Sequence, residues 1–565
     1  MINTLLTLHS VQAARERYLG GVWQQETLYT MVREHARARP NACALRDQAR
    51  RLTWREVYEG VETLAQDMHE RGLRRGDRVA VWLPSCIEVV LAFLACSRNG
   101  YVCCPSLHQN YTVAEIIRLL GRVRCRALFA QPGYGADAIG NPVFEAVSNV
   151  PTMRCVYAVP PQGTPGEGDR LPAGAHRLPD RSALGSVTHA AVTDPDKVVY
   201  LAFTSGTTGE PKGVLHSDNT LLANGRALVS DWRHDAQTVL LTLSPMSHHI
   251  GTVALEQALV AGLELVMYTP APNRNTLDWI LESGATYVMG VPTHAMDLLG
   301  MMRSRGLRRL GNVRTFYMAG SSIPRELAQQ FLDIGVTPQN VYGMTENGSH
   351  QYTQPTDSGA TIVATCGRAC SGYEVKIFDQ EDPDVEAPPG EVGEIGSRGA
   401  LLMLGYYDNQ DATEAAFNAS GWFMSGDLGR LDEQGCLHVV GRKKDLIIRG
   451  GHNIHPAPIE DLAHRHPGVL KAAAFPIADE RLGERVCLAV ICQPGVRLGA
   501  QEMLRHLRQA GLSKYDMPEY FIRLDEFPMT ASGKILKRGM ADWMRVRQLQ
   551  PQPVRSNLDK HGAPA

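Results

Sequence analysis

A chain of 565 residues is too long for one hydrophobic core, so at least two domains are expected. Its 44% apolar and 21% charged residues are ordinary for a globular protein, and a formal net charge of −2 leaves no basic footprint for nucleic acid. The 12 cysteines form no Cys-x-x-Cys pair, the amino terminus has no secretory pattern and no segment reaches membrane-spanning length without charge, so a reducing cytoplasm is the expected setting.

Short apolar runs alternate with helical patterns through the first four hundred or so residues. Strands are predicted at 78–83, 127–130, 198–203, 263–267, 287–290 and 315–319, and helices at 87–98, 112–120, 219–230 and 324–334. That alternation predicts an α/β architecture with parallel strands. The Pro- and Gly-rich stretch 160–168 reads as a loop. From Glu391 the texture changes to short strands and turns, and about a hundred residues after Arg442–Asp445 read as a compact α+β unit. The tail from about Gln548 is polar and Pro-containing and is expected to be disordered.

Thr204-Ser205-Gly206-Thr207-Thr208-Gly209-Glu210-Pro211-Lys212-Gly213 follows a predicted buried strand. Glycines let the backbone approach a ligand closely, hydroxyl and N–H groups donate, and Lys212 neutralises charge, a combination suited to phosphates. It is not a Walker loop, because Pro211 and Gly213 flank the lysine where Gly and Ser or Thr are required.

Further segments follow in order: Ser244-Pro245-Met246-Ser247-His248-His249-Ile250-Gly251, Ala319-Gly320-Ser321-Ser322-Ile323-Pro324 and Tyr342-Gly343-Met344-Thr345-Glu346. After them come Ser425-Gly426-Asp427-Leu428-Gly429, Gly441-Arg442-Lys443-Lys444-Asp445, Arg449-Gly450-Gly451-His452-Asn453-Ile454 and Pro528-Met529-Thr530-Ala531-Ser532-Gly533-Lys534-Ile535. Singly, each has a plain structural reading: a buried His, a capped helix start, a turn or a solvated Lys. His452-x-x-His455 lacks the Cys or Glu partners of a metal site.

In this order the segments resemble the acyl-adenylate-forming superfamily, which includes acyl-CoA synthetases, non-ribosomal peptide adenylation domains and beetle luciferases. The resemblance implies a large domain over 1–441, made of layered α/β subdomains and a small distorted β-barrel. A small mobile α+β domain over 442–548 would follow, hinged near Lys444, with 549–565 as tail. It implies that Thr204, Ser205, Gly206, Thr207, Thr208, Gly209 and Lys212 hold ATP phosphates. Gly320, Ser321, Tyr342 and Gly343 would lie along the nucleotide, with Tyr342 against adenine and Thr345 on the α-phosphate. Glu346 would carry Mg²⁺, Asp427 would take both ribose hydroxyls, and Arg442 would contact the ribose or a phosphate. Lys534 would reach the site during adenylation, and pantetheine would pass Gly451 afterwards. His248, His249, Gly251, Val291, Ala319 and Met344 would line the acid pocket.

The implied activity is ATP-dependent acid:CoA ligation through acyl-AMP, with coenzyme A as co-substrate. The runs Thr345–His350 and Gly451–Pro456 look like cyclohexanecarboxylate-type and medium-chain acyl-CoA ligases, which points to an alicyclic, aryl or medium-chain monocarboxylic acid. Two features depart from the wider pattern: Ser247 stands where an aromatic is frequent, and no Asp in Ser244–Gly251 could bind an amino acid's ammonium. Alternatives are an acyl-AMP ligase loading a carrier protein in trans, and a catalytically inactive nucleotide-binding homologue. No nucleic-acid or membrane-spanning partner is expected, and the sequence is compatible with an oligomer.

Overall fold

The computed structural model describes residues 7, 9–161, 171–180, 189–204, 211–270, 274–321, 323–529 and 535–554. The chain forms two compact units, one of residues 1–375 and 397–423, the other of 376–396 and 424–565. The expected loop at 160–168 lies almost wholly outside the described residues.

The first unit holds two large sheets. One runs in the order Gly405–Tyr406, Lys212–Ser217, Val198–Thr204, Val102–Cys104, Arg78–Trp82, Ala127–Ala130, Cys155–Ala158. Its Val198-to-Cys155 portion is parallel, and Ala127–Ala130 is buried at every position, the mark of a strand covered on both faces. The second sheet, nine-stranded, carries Val239–Thr242, Tyr287–Gly290, Thr315–Met318 and Thr337–Met344 as parallel neighbours. Helices start where side chains cap them: Thr53 with Glu56, Thr112 with Glu115, and Ser217 with Thr220 form reciprocal capping boxes. A buried ion pair, Lys197 Nζ to Asp218 Oδ2 at 2.6 Å, ties the start of Val198–Thr204 to the start of the helix Asp218–Trp232. Asp218 Oδ1 also accepts from the Ser97 hydroxyl and the Leu28 N–H, so this buried charge is matched on both oxygens.

The second unit is built on the hairpin Val469–Asp479 and Gly483–Cys492. Successive strand residues feed opposite faces: Ala472, Ala474, Leu488 and Val490 pack with the helices Pro456–His464 and Ala500–Gln509. Ala473, Phe475, Cys487 and Ala489 pack with Met540 and Met544 of the helix Met540–Val546. The expected small barrel takes the form of an open four-stranded sheet, Tyr373–Phe378, Gly393–Gly399, Phe423–Leu431, Leu437–Arg442.

The carboxyl end departs from expectation. Gln552–Pro553 pairs antiparallel with Tyr520–Arg523 and Val554 is buried, so the expected disordered tail opens with an ordered stretch that includes a short edge strand. The polar composition reflects its single buried side chain; backbone pairing holds it. All 12 cysteines are free thiols, nine of them buried, as small apolar residues would be.

Candidate active site

The strands Val198–Thr204 and Lys212–Ser217 are antiparallel neighbours with Thr204 opposite Lys212, so the two ends of the segment between them lie side by side. Ser205, Gly206, Thr207, Thr208 and Gly209 lie outside the described residues. The loop's ends are fixed: the Phe203 N–H donates to Ser106 Oγ at 2.6 Å, and Arg122 Nη1 donates to the Pro211 carbonyl at 2.7 Å. Beyond it, Gly405–Tyr406 pairs with Leu215 and Val214 at the sheet edge. That pairing sets the Tyr406 ring 4.7 Å from Lys212 Nζ.

Glu346 stands on a second hairpin. Thr337–Met344 and Gly348–Tyr352 are antiparallel, Met344 faces Gly348, and Thr345-Glu346-Asn347 make the turn. Asn347 closes it by accepting the Met344 N–H on its side-chain oxygen at 2.9 Å. Two glycines are required: Gly348 has φ +64°, and a Cβ on Gly343 would collide with the Gly348 carbonyl. The Glu346 backbone carbonyl accepts from the Met403 N–H at 2.7 Å, and its carboxylate accepts from the Tyr406 hydroxyl at 3.1 Å. Burial, then the adjacent Glu346 charge, pushes the Tyr406 phenol up from its usual range, so it stays a donor. Tyr406 thus joins Lys212 to Glu346, a role that no motif around it signals.

The Thr345 carbonyl is held by His216 Nε2 at 2.7 Å. A carbonyl only accepts, so Nε2 carries the ring hydrogen and Nδ1, 2.9 Å from Thr220 Oγ1, carries none. His216 stacks on His249 (5.7 Å, 18°), whose Nδ1 lies 3.2 Å from the Tyr200 hydroxyl. Burial, with lesser repulsion from His9, lowers His216 to about 4; burial, with lesser repulsion from His216, lowers His249 to about 3. Both rings are neutral at pH 7.

Other predicted pocket residues fall around the helix His249–Ala261. His248 is its N-cap, and its ring stacks 4.3 Å from His108. Gly251 is glycine for packing: a Cβ there would come 2.8 Å from the Pro245 carbonyl and Met246 Cα. Val291 caps the helix Pro292–Ser304 and Ala319 is buried at the end of Thr315–Met318. Gly320 (φ +91°) has Val291 Cγ1 and Ile250 Cδ1 as its nearest side-chain neighbours, so these three share one wall; Ser321 is exposed beside it. Tyr342 is buried, edge-on to His350 at 5.4 Å, and Met344 packs on the apolar core.

In the second unit Asp427 and Arg442 are directly opposite on Phe423–Leu431 and Leu437–Arg442, and Arg442 Nε lies 3.1 Å from Asp427 Oδ1. Asp427 therefore sits in a strand, not in the turn a lone Asp-Leu-Gly suggests. Lys444 lies in the short helix Lys443–Asp445, and its carbonyl, with that of Leu446, accepts from the Arg538 guanidinium. Gly450 and Gly451 both have positive φ and form the two-residue turn of the hairpin Ile447–Arg449, His452–Ile454, with open space around Gly451. Lys534 lies outside the described residues. His452 Nε2 is 3.0 Å from Asp516 Oδ1, and among the described residues no three His, Cys, Asp or Glu cluster as metal ligands.

The AMP-binding enzyme family matches residues 32–407, two thirds of the chain, and its C-terminal domain matches 458–534. The chain belongs to the AMP-binding enzyme family. This protein is thus an enzyme, and its likeness to acyl-CoA ligases is not confined to motifs. It is 30% identical over 523 residues to the medium-chain fatty-acid–CoA ligase of Escherichia coli, covering 92% of this chain and 90% of that one. It is 32% identical over 532 residues to the 2-hydroxy-7-methoxy-5-methyl-1-naphthoate–CoA ligase of Streptomyces carzinostaticus (92% and 93% covered). The crystal structure of ATP-bound MatB from Rhodopseudomonas palustris superposes with a TM-score of 0.79 at 27% identity, over 92% of this chain and 99% of that one. Among the described residues no helix is long and apolar enough to cross a membrane.

Proposed function

We propose that the enzyme couples ATP to the activation of a monocarboxylic acid, alicyclic, aryl or medium-chain, and passes the acyl group to coenzyme A. The observation that carries this reading is the Lys212–Tyr406–Glu346 arrangement, a cation and a carboxylate fixed on two adjoining hairpins through one phenol. Such a pair suits a phosphate chain: the cation meets phosphoryl oxygens, and the carboxylate meets a dication they share.

In the first step a carboxylate oxygen of the acid attacks the α-phosphorus of ATP, and the bond to pyrophosphate breaks. Little covalent work falls to the protein; it positions the attack and stabilises charge on oxygen. Lys212 and the 204–209 loop hold the departing phosphates, Thr345 the α-phosphate, and Lys534 joins them for this step. Tyr342, Gly343, Gly320 and Ser321 line the nucleotide, Asp427 takes the ribose hydroxyls, and Arg442 contacts the ribose or a phosphate. Glu346 fits Mg²⁺, since that ion needs only one or two carboxylates beside phosphates and supplies charge neutralisation there. In the second step the thiol sulfur attacks the acyl carbonyl, the thiol loses its proton, and AMP leaves with the electron pair of the cleaved bond. A rearrangement about Lys444 would withdraw Lys534 and bring in Gly451, whose open surroundings suit close passage of pantetheine. The acid class is supported by relatives named for fatty and naphthoic acids. A cytoplasmic setting is supported by the twelve free thiols.

The test is pyrophosphate release with ATP, Mg²⁺ and a panel of acids, followed by thiol consumption on adding coenzyme A. Acid-dependent pyrophosphate without thiol consumption favours a carrier-protein acceptor. Absence of any acid-dependent release favours a nucleotide-binding homologue.

A further inference from the structure

The helix His249–Ala261 is apolar over most of its surface but turns three polar residues, His249, Thr252 and Glu256, to one side at helical spacing. Glu256 is fully buried and neither of its carboxylate oxygens has a hydrogen-bond partner. The next residue, Gln257, is equally buried and its side-chain oxygen is also unpartnered. On the facing helix Asp218–Trp232, Gly225 allows the approach, since a Cβ there would lie 2.8 Å from the Glu256 backbone carbonyl carbon. Beside it, Asn224 accepts the Ser349 N–H at 2.6 Å through Oδ1, while its Nδ2 donor is buried and unmatched. Ser349 Oγ lies 2.7 Å from the Tyr317 hydroxyl.

These groups run on from the catalytic turn. The Thr345 carbonyl meets His216, His216 stacks on His249, His249 meets Tyr200, and a negative charge on Glu256 would reach both the Tyr200 and Tyr317 phenols, so its carboxyl lies near them. Ser349 is four residues after Thr345. A core that needed only to be filled would place Leu or Phe at 256; unmatched donors and acceptors from two helices are tolerated where something completes them. Burial pushes the Glu256 carboxyl well above its ordinary range, which favours the protonated form, a donor as well as an acceptor.

We propose that Glu256 and Asn224 form the far wall of the acid pocket and hydrogen-bond an uncharged oxygen substituent, a hydroxyl or ketone, carried by the acid away from its carboxylate. The inference rests on the acyl-adenylate reading above. A site whose buried polar groups need a partner discriminates strongly against an analogue that lacks it.

The experiment compares pyrophosphate release for cyclohexanecarboxylate with trans-4-hydroxycyclohexanecarboxylate, octanoate with 8-hydroxyoctanoate, and cyclohexanecarboxylate with its trans-4-amino analogue. Wild type is expected to favour at least one hydroxylated acid by about tenfold or more, chiefly through KM. Glu256→Leu should abolish that preference, bringing the hydroxylated and unsubstituted acids to within about twofold of each other; Glu256→Gln, which keeps a donor and an acceptor, should retain most of it. If Glu256→Leu does not fold, Asn224→Leu and Glu256→Gln carry the comparison. Equal use of each pair by wild type, an unchanged ratio in the Leu variants, or preference for the amino acid analogue overturns the inference. No pyrophosphate with any acid overturns the acyl-adenylate reading, and this inference with it.

Discussion

Tyr406 and Glu346 are 60 residues apart in the chain, yet the tyrosine hydroxyl donates to Glu346 Oε1 at 3.1 Å from within a buried strand. A hydrogen bond to a charged group contributes about 1.5–3 kcal/mol. Tyr406→Phe removes it and keeps the ring beneath Lys212. Pyrophosphate release should fall by roughly ten- to a hundredfold in kcat/KM, with a higher Mg²⁺ requirement. A Mg²⁺ titration of the variant checks this; an unchanged midpoint with full activity would remove Tyr406 from the site.

Asp427 and Arg442 hold each other across one register position of a hairpin. If the pair anchors the nucleotide away from the reacting bond, as proposed above, Arg442→Ala should raise the KM for ATP by about tenfold and alter kcat less. Steady-state kinetics with ATP varied give the answer. Loss confined to kcat would place Arg442 at the chemistry instead.

His216 links acid stability to the Thr345 turn. Its folded-state value of about 4 lies below the ordinary 6.5. Between these values the unfolded chain binds a proton that the native ring refuses, so stability rises with pH across this window. The contribution is fully present above pH 6.5 and is lost as pH falls towards 4, on the order of 3 kcal/mol in all. Urea midpoints from pH 4.5 to 7.5 should slope less for His216→Asn than for wild type. Parallel slopes would show that other buried histidines carry the effect.

The two half-reactions should separate by mutation. Lys534→Ala should lose acid-dependent pyrophosphate release by about a thousandfold yet still convert preformed acyl-AMP and coenzyme A to thioester. Gly451→Ala should do the reverse, keeping pyrophosphate release and slowing thioester formation, because φ +84° strains any residue with a Cβ and the added methyl narrows an open turn. Stopped single-turnover assays of each step resolve the pair.

Much of the frame was legible because it is written in local periodicity. The strands Ala127–Ala130 and Tyr287–Gly290 fall where their apolar runs predict, and the helix Ile87–Asn99 extends its expected range by one residue. The edge strand Gln552–Pro553 reads as disorder in the sequence because a strand held by backbone bonds needs little apolar content. Asp427 reads as a turn residue in isolation; its strand became visible only through pairing with Leu437–Arg442.

The sequence by itself determined which family the chain belongs to, because the segments around Lys212, Glu346, Asp427 and Arg442 follow one another in that family's order, which is legible without any knowledge of contacts. Tertiary structure alone decided what stands behind them. Tyr406 under Lys212, His216 on the Thr345 carbonyl and the unmatched Glu256 packed against Gly225 each join segments far apart in the chain. Hydrogen bonding and burial depend on distance in space, which sequence separation does not encode.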